Sequence, residues 1–334
     1  MYWYIKYPLI VILCLCVLAL GTLLFRGCGK ATPSEPATEV AVGEGPATEI
    51  PPSAANVNVG GGTDGKPRPS APRPQVTKIS KELEDALASA EDQLAHGMLE
   101  AAREIARNVI ASDEVTEFDA TWYRAAEILN EADKRLMNST APASEKKMYR
   151  VVRGDNLTLI ARRNYTSVGA LKRINENLHQ STVIRPSQTI MYIAGNWRIR
   201  VSKRQYLLML YLNDELYRIY TVGIGRDNRT PTGTFQITEL VENPPWFRND
   251  GQVIPFGDPE NPLGTRWMRL KPTDDTDSTL EGYGIHGTSE PESCGSSCSL
   301  GCVRMRNEEV EELFAFIPTP GEGLAPLVRV TIEE

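Results

Sequence analysis

The sequence predicts a multidomain α+β protein in which a helical hairpin region and a small βααβ module precede a β-rich C-terminal domain. Three observations support this fold class. Apolar residues recur at helical spacing between residues 79 and 136. Aromatic residues are absent between Phe25 and Phe118 and frequent after Trp197, so the largest core lies late in the chain. From that tryptophan onward, short β-branched and aromatic runs alternate with turn residues.

Composition limits the functions that are open to this chain. Its 334 residues fit two or three small domains, and 41% of them are hydrophobic, which is typical of globular proteins. A net charge of −7 argues against a nucleic-acid partner, because such partners select a basic face. The sequence has no glycine-rich phosphate loop of the GxxxxGK[ST] kind, so ATP use is not indicated.

Residues 8–25 form an uncharged apolar run that is just long enough to span a membrane, after a short tail at residues 1–7. Basic residues flank the run on both sides and give no clean orientation. We predict a single-pass transmembrane anchor; the alternatives are a cleaved signal peptide and a lipoprotein modified at Cys28. All three place the rest of the chain in the cell envelope, outside the cytoplasm and facing the periplasm or the wall.

Residues 26–76 predict a disordered linker. This stretch contains nine prolines, a Gly60–Gly62 run and no aromatic residue. It therefore buries too little apolar surface to fold. A spacer between a membrane and folded domains suggests a substrate that lies some distance from the bilayer.

Residues 77–140 predict three helices that resemble tetratricopeptide hairpins, with a weak repeat signature. Gly97 interrupts the first apolar run, and Thr116–Asp119 resembles a capping box at the start of the third helix. The simplest interpretation is a helical spacer or a platform for protein interaction. The sequence does not identify the protein partner. The apolar positions are Ile79, Leu83, Leu87, Ala90, Leu94, Ile105, Ile110, Phe118, Trp122, Ala125, Leu129 and Leu136.

Residues 147–194 predict a compact βααβ module. A strand at residues 149–152 and a returning strand at residues 189–192 enclose two short amphipathic helices. The pattern resembles the LysM module, which binds glycans that contain N-acetylglucosamine. The matching positions are Tyr149, Arg150, Val151, Gly154, Asp155, Leu157, Ile160, Ala161, Leu171, Asn175 and Arg185–Gln188.

The LysM resemblance implies a glycan-binding groove between two loops. Its residues would be Asp155, Asn156, Leu157, Val183 and Ile184. Asn156 departs from the family, which usually has Thr or Ser there, and Ser187 stands where the family usually has Gly. On the residues alone, Asp155 is an ordinary turn residue that caps the helix at Leu157.

Residues 197–334 predict a curved mixed β-sheet or sandwich with small helices. Apolar runs at residues 207–212 and 216–222 are separated by Asn213-Asp214, which is typical of a hairpin turn. A short helix is predicted from Asn307 to Phe314, and a last strand from Leu327 to Ile332.

The candidate chemistry of this domain rests on Cys302 and His286. A free thiol is mostly protonated near neutral pH and needs a base or a cation to become a nucleophile. His286 is the only imidazole between residues 197 and 334. The turn from Ser299 to Cys302 contains Gly301 and could present N–H groups to an oxyanion. By itself this pair is weak evidence, because cysteines outside the cytoplasm more often form disulfides.

The longer motifs resemble the L,D-transpeptidase catalytic domain of the YkuD type. The matching segments are Arg229–Phe235, Pro255–Gly257, Asn261–Met268, Tyr283–Thr288 and Ser299–Met305. The resemblance implies that Cys302 is the nucleophile and His286 its base. It implies that Arg304 orients substrate or braces a loop, and that Ser299, Gly301, Gly287 and Thr288 shape the loops of the site. An ion pair between Arg304 and Glu308 or Glu309 is the structural alternative.

The family implies a reaction on peptidoglycan without a metal or other cofactor. The thiol attacks the third residue of a tetrapeptide stem and expels the terminal D-alanine, and an amine of a neighbouring stem resolves the thioester into a 3→3 cross-link. Two enzymatic alternatives use another acceptor: an L,D-carboxypeptidase, or an enzyme that attaches a protein to the wall. A non-catalytic wall-binding anchor is a third and more distant interpretation.

Cys294 and Cys298 have no assigned role in this scheme. A Cys294–Cys298 disulfide would stiffen the loop between the base and the nucleophile. A Cys298–Cys302 disulfide would inactivate the enzyme. A metal cluster would need a fourth ligand, and two free thiols are the remaining alternative.

Overall fold

The structure is a computed structural model that describes residues 72–193, 195–248, 250–320 and 327–334. The predicted tail, the predicted anchor and nearly all of the predicted linker lie outside the described residues. Within the described ranges, no helix is both long and apolar enough to cross a membrane.

The helical region consists of α1 (Lys81–Ala95), α2 (Leu99–Ile110) and α3 (Ala120–Met137). Asp119, rather than Thr116, is the N-cap of α3, because its Oδ1 accepts the Trp122 N–H at 2.7 Å. The predicted capping box is therefore displaced by three residues. The N–H of Thr116 instead donates back to Asp119 Oδ2 at 3.2 Å, which closes the turn before the helix.

The βααβ order of the second module is confirmed. Its elements are β1 (Lys146–Arg150), α4 (Leu157–Arg163), α5 (Val168–Ile174), a 3₁₀ turn (Glu176–Leu178) and β2 (Thr189–Ile193). The two strands pair antiparallel along their whole length. The core of the module is Val151, Leu157, Ile160, Ala161, Leu171, Leu178 and Ile190.

The C-terminal domain is built on one mixed sheet of eight strands, which confirms the predicted α+β class. Its strands and helix are β3 (Trp197–Ser202), β4 (Leu207–Leu212), β5 (Glu215–Thr221), β6 (Ile224–Gly225), β7 (Gly233–Glu242), β8 (Trp246–Phe247), β9 (Val253–Ile254), β10 (Arg266–Thr273), β11 (Gly284–His286), β12 (Ser297–Ser299), β13 (Val303–Arg304), α6 (Asn307–Phe316) and β14 (Arg329–Glu333). The strand order in the sheet is β13-β11-β10-β7-β14-β3-β4-β5, in which β11/β13 and β14/β3 are parallel. Pairs β8/β9 and β6/β12 form two small ribbons.

The Asn213-Asp214 turn joins β4 to β5. Both residues have positive φ, at 51° and 67°, which is the backbone of a two-residue type I′ hairpin. Asn and Asp tolerate this conformation better than other non-glycine residues. The hairpin predicted from this residue pair is therefore confirmed, and the tolerance of Asn and Asp for positive φ is its physical reason.

Helix α3 covers β5, the last strand at one edge of the sheet. Asn130 Nδ2 donates to the Ile219 carbonyl at 3.2 Å, and Asn130 Oδ1 accepts the Ile219 N–H at 3.0 Å. The side-chain amide thus replaces a missing neighbouring strand, which protects an edge that would otherwise pair with other chains. The helical region is consequently fixed to the sheet and is more than a spacer.

A buried charge network joins the helical region to the segment that enters β1. Arg103 is 1% exposed. Its guanidinium donates to Asp133 at 2.9 Å, to Glu145 at 2.7 Å, to Glu100 at 2.6 Å and to Ser144 at 3.1 Å. One cation thus faces three carboxylates, and burial raises the pKa of Asp133 to about 7 despite the neighbouring Arg103.

The βααβ module packs on α6. The Ser167 hydroxyl donates to the Ala315 carbonyl, and a Cβ at Gly169 would lie 2.9 Å from Ala315 Cα. This close approach requires a residue without a side chain at position 169. The module is therefore held against the helix that begins beside the candidate site.

Candidate active site

Strands β10, β11 and β13 place the candidate catalytic residues at one end of the sheet. In the parallel β11/β13 pair, His286 lies opposite Arg304. Cys302 lies directly before β13 and packs in one apolar cluster with Trp267, whose ring stacks on His286. Across β10, Trp267 lies opposite His286. The fold thus brings together the two residues that the sequence motifs single out.

Cys302 is 4% exposed and packs in an apolar cluster with Trp246, Ile254, Leu263 and Trp267. Burial raises the pKa of the Cys302 thiol to about 11, although a hydrogen bond from the Gly284 backbone and the charge of Arg304 oppose this shift. The sulfur is therefore a neutral thiol at pH 7.

The turn before Cys302 is held by two hydroxyl groups. Ser299 Oγ accepts the Gly301 N–H at 3.1 Å and donates to the Cys302 carbonyl at 2.6 Å. Thr230 Oγ1 donates to the Gly301 carbonyl at 2.8 Å. Gly301 has φ of 148°, and a Cβ there would lie 2.7 Å from Tyr283 Cε1. Since the Gly301 N–H is already bonded, the Cys302 N–H is the candidate oxyanion donor of this turn.

His286 is fully buried, and its ring stacks on Trp267 with centroids 5.8 Å apart. Burial, together with the charge of Arg304, lowers the pKa of His286 to about 3. The imidazole is therefore neutral at pH 7 and able to accept a proton.

One backbone carbonyl selects the tautomer of His286. Its Nδ1 lies 2.5 Å from the Gly287 carbonyl oxygen, and a carbonyl can only accept. The proton consequently sits on Nδ1, and the lone pair is on Nε2. Nε2 is buried and has no hydrogen-bond partner in the described part of the chain. This is the arrangement that a general base needs.

Arg304 is 5% exposed and forms an ion pair with Glu290 at 3.3 Å. The alternative partners that we considered from the sequence, Glu308 and Glu309, are wrong. Glu309 instead pairs with Arg306, three residues before it, at 3.2 Å. Arg304 therefore places a positive charge beside both His286 and Cys302 and connects them to the loop that carries Glu290.

Cys294, Cys298 and Cys302 are free thiols in the structure. Of the alternatives for Cys294 and Cys298, the disulfide is therefore not formed here. The two sulfurs face different backbone carbonyls: Cys294 Sγ lies 3.8 Å from that of Arg304, and Cys298 Sγ lies 3.4 Å from that of Ser293. Among the described residues, no group of three His, Cys, Asp or Glu side chains could hold a metal ion.

The predicted glycan-binding residues lie in the βααβ module, apart from this site. Asn156, rather than Asp155, caps α4, since its Oδ1 accepts the Leu159 N–H at 2.8 Å. The Asp155 side chain is almost buried and accepts bonds from Tyr149 and Val152. Its part is therefore to hold the loop.

The remaining three predicted glycan-binding residues differ in exposure. Leu157 is buried, and Ile184 packs against the module core. Val183 is 67% exposed, and the Val152 side chain on the facing loop is 53% exposed. Exposed apolar side chains such as these are the ones that could contact a ligand directly.

Sequence reasoning missed two side chains at the site. Trp267 was noted only as part of a motif, yet its position opposite His286 makes it the wall of the imidazole pocket. A Cβ at Gly284 would lie 2.5 Å from the Trp267 ring, so this glycine leaves room for the indole. Asn307, the first residue of α6, accepts hydrogen bonds from Thr265 and Thr288. The sequence contained one signal for Asn307, because it is a polar residue five positions after the candidate nucleophile Cys302.

Two family models match the chain. The YkuD model, described as the L,D-transpeptidase catalytic domain, matches residues 196–331. The LysM domain model matches residues 149–191. The βααβ module is therefore a LysM domain.

Proteins with sequences similar to this chain are named as L,D-transpeptidases. YqjB of Bacillus subtilis (strain 168), which is named as an L,D-transpeptidase, is 40% identical over 127 residues, 38% of this chain and 69% of that protein. YkuD of the same organism, named likewise, is 31% identical over 175 residues, 51% of this chain and 93% of that protein. The NMR structure of the catalytic domain from the E. faecium L,D-transpeptidase has 21% sequence identity, with a TM-score of 0.29, and covers 42% of this chain and 98% of that one.

Proposed function

Because this chain belongs to the YkuD family of L,D-transpeptidases, we propose that it forms 3→3 cross-links in peptidoglycan through an acyl-enzyme on Cys302. The observation that carries the proposal is that the buried Cys302 thiol and the neutral imidazole of His286 both pack against Trp267. Family membership supports the reaction class, and the assignment of the acceptor is our own.

The first half of the reaction forms a thioester. His286 Nε2 takes the proton from Cys302 Sγ as the sulfur attacks the carbonyl carbon of the third stem residue. The Cys302 N–H stabilises the oxyanion of the tetrahedral intermediate. When that intermediate collapses, the bond to D-alanine breaks and the imidazolium gives its proton to the leaving amine.

The second half consumes the thioester. The side-chain amine on the third residue of a neighbouring stem attacks the carbonyl, His286 accepts its proton, and the Cys302 thiol is released. Trp246, Leu263 and Trp267 surround the sulfur with apolar surface. Apolar surroundings of this kind exclude bulk water, whereas the amine is held in place by its own stem. They therefore favour attack on the thioester by the amine, which is transfer, over attack by water, which is hydrolysis.

We propose that the LysM domain binds the glycan strand through the loops that contain Asn156 and Val183. Because the module is packed on α6, the stem peptides are presented to the site at a fixed distance from the bound glycan. The predicted anchor at residues 8–25 would hold the protein at a membrane with these domains outside the cytoplasm.

Incubation of the purified protein with tetrapeptide muropeptides distinguishes the acceptors. We expect cross-linked dimers with tripeptide donors, identified by mass spectrometry, together with released D-alanine. Tripeptide monomers as the sole product would instead assign the protein as an L,D-carboxypeptidase. Modification of an added envelope protein would assign it as a protein-anchoring enzyme.

The neutral thiol–imidazole pair makes a prediction about pH. We expect the rate constant for acylation by a carbapenem to change little between about pH 5 and 9, since the pKa values of about 3 and about 11 lie outside this range. In His286→Ala the reaction depends on free thiolate, so its rate should rise about tenfold per pH unit. Rapid-mixing absorbance measures both. A tenfold rise per unit in the wild type would contradict the neutral pair.

A further inference from the structure

We infer that Asn307 is a positioning residue for His286: its side-chain oxygen holds the peptide group whose carbonyl fixes the imidazole tautomer. The inference rests on the proposed function, because it concerns the base of that reaction. Asn307 is the first residue of α6. An asparagine at a helix start usually caps its own helix, but here Arg306 is the N-cap and makes no side-chain cap bond.

Asn307 Oδ1 accepts two backbone hydrogen bonds from two different loops. The Thr288 N–H donates to it at 3.2 Å, and so does the Thr265 N–H, also at 3.2 Å. The first loop directly follows His286, and the second connects the β8/β9 ribbon to β10. A carbonyl oxygen has two lone pairs, and both are used.

The first bond acts on His286 through one rigid plane. The Thr288 N–H and the Gly287 carbonyl belong to the same peptide group, which is planar, with its N–H and C=O pointing in opposite directions. The carbonyl end lies 2.5 Å from His286 Nδ1, and the N–H end is held by Asn307. Fixing the N–H therefore fixes the direction of the carbonyl, and with it the proton on Nδ1.

The second bond holds the loop before β10, which also lines the site. Leu263 of this loop packs in one apolar cluster with Cys302 and Trp267, and Thr265 lies two residues further along the same loop. Gly264 between them has φ of 63°, in the left-handed region. Asn307 thus joins the backbone that directly follows His286 to the loop whose Leu263 packs in the cluster of Cys302.

Glycines at both points of closest approach show that this contact is built into the fold. A Cβ at Gly264 would lie 2.3 Å from Asn307 Oδ1, and a Cβ at Gly287 would lie 2.2 Å from it. Real Cβ atoms do not approach other atoms so closely. Each loop can therefore reach Asn307 only because it has no side chain there, and Gly287→Ala should disturb the same contact from the opposite side.

The test compares Asn307→Leu, which has a similar volume and no acceptor, with Asn307→Asp, which keeps an oxygen at the same position. Nitrogen-15 NMR reads the tautomer directly, and the chain has only three histidines to assign. We expect the Nδ1–H tautomer of His286 in the wild type and in Asn307→Asp, and a loss of that single tautomer in Asn307→Leu. Acylation by a carbapenem should slow about 100-fold in Asn307→Leu, with its half-saturating concentration nearly unchanged.

Asn175→Leu is the matched control. It removes a buried amide from the LysM domain, where Asn175 bonds Leu171 and Met191. We expect the wild-type tautomer and acylation rate in this variant. An unchanged tautomer and rate in folded Asn307→Leu would overturn the inference, as would the same result in Gly287→Ala should Asn307→Leu not fold. A wild type that is acylated but forms no peptide product would refute the proposed cross-linking and leave the role of Asn307 intact.

Discussion

Cys302→Ala is expected to abolish acylation by a carbapenem and to reduce cross-link formation by on the order of 10⁴-fold or more. The reason is that the sulfur forms the covalent bond, and among the described thiols only that of Cys302 belongs to the apolar cluster that contains Trp267. Mass spectrometry of the intact protein detects the adduct, and muropeptide analysis detects the dimers. The removed group is one thiol in an apolar cluster, so the fold should persist.

The matched controls for this variant are Cys294→Ala and Cys298→Ala. Cys294 lies in the turn before β12 and Cys298 lies in β12, and both are half-buried. We expect each control to be acylated at a rate close to that of the wild type. A carbapenem adduct on Cys302→Ala, or unchanged 3→3 muropeptides in a strain that relies on it, would refute the assignment of the nucleophile.

Arg103→Leu is expected to lower the free energy of unfolding by about 3–5 kcal/mol. The guanidinium is the shared partner of Asp133, Glu145 and Glu100. Its removal leaves the buried carboxylates of Asp133 and Glu145 without their hydrogen-bonded cation, whereas the lost attraction itself is the smaller part of the effect. Chemical denaturation followed by circular dichroism measures the change. A loss below about 1 kcal/mol would contradict the role of this network.

Asp133→Asn tests the same network in the opposite direction. The pKa of Asp133 is raised from 3.8 to about 7 in the folded protein. Unfolding therefore releases a proton between about pH 4 and 7, and the free energy of unfolding falls as the pH rises through this window. The amide of the variant cannot titrate, so its free energy of unfolding should not fall in this window. Compared with that of the wild type at the same pH, the stability of the variant should therefore be more favourable at pH 8 than at pH 4. An identical pH dependence in both proteins would contradict the raised pKa.

Much of the fold could be predicted because its signals are local. The Asn213-Asp214 turn, the strand runs around it and the helix that starts at Asn307 each follow from the backbone preferences of neighbouring residues. The packing of α3 on the sheet edge could not be predicted in this way. It depends on Asn130 meeting Ile219, and a polar residue inside a helix gives no sign of a partner so distant in the sequence.

The residues of the candidate site also differ in whether local sequence signals could predict them. Cys302 and His286 could be singled out because a thiol nucleophile and its base are recognisable by residue type and by the motif around them. Trp267 and Asn307 could not, since their roles depend on strand register and on glycines that allow close approach. The predicted ion-pair partner of Arg304 was wrong for a related reason. The sequence offers acidic residues close to Arg304, whereas the actual partner, Glu290, lies on another loop.

The burial of Cys302 also bears on how long the enzyme survives in an oxidising surrounding. Peroxide and disulfide reagents react with exposed thiolates, and they convert these to sulfenic acid or mixed disulfides. A sulfur that is 4% exposed, with a pKa of about 11, offers almost no thiolate to such reagents. In the proposed reaction it is deprotonated only when a substrate carbonyl and His286 contact it together. The proposed nucleophile would therefore be protected from oxidation between turnovers by its burial alone.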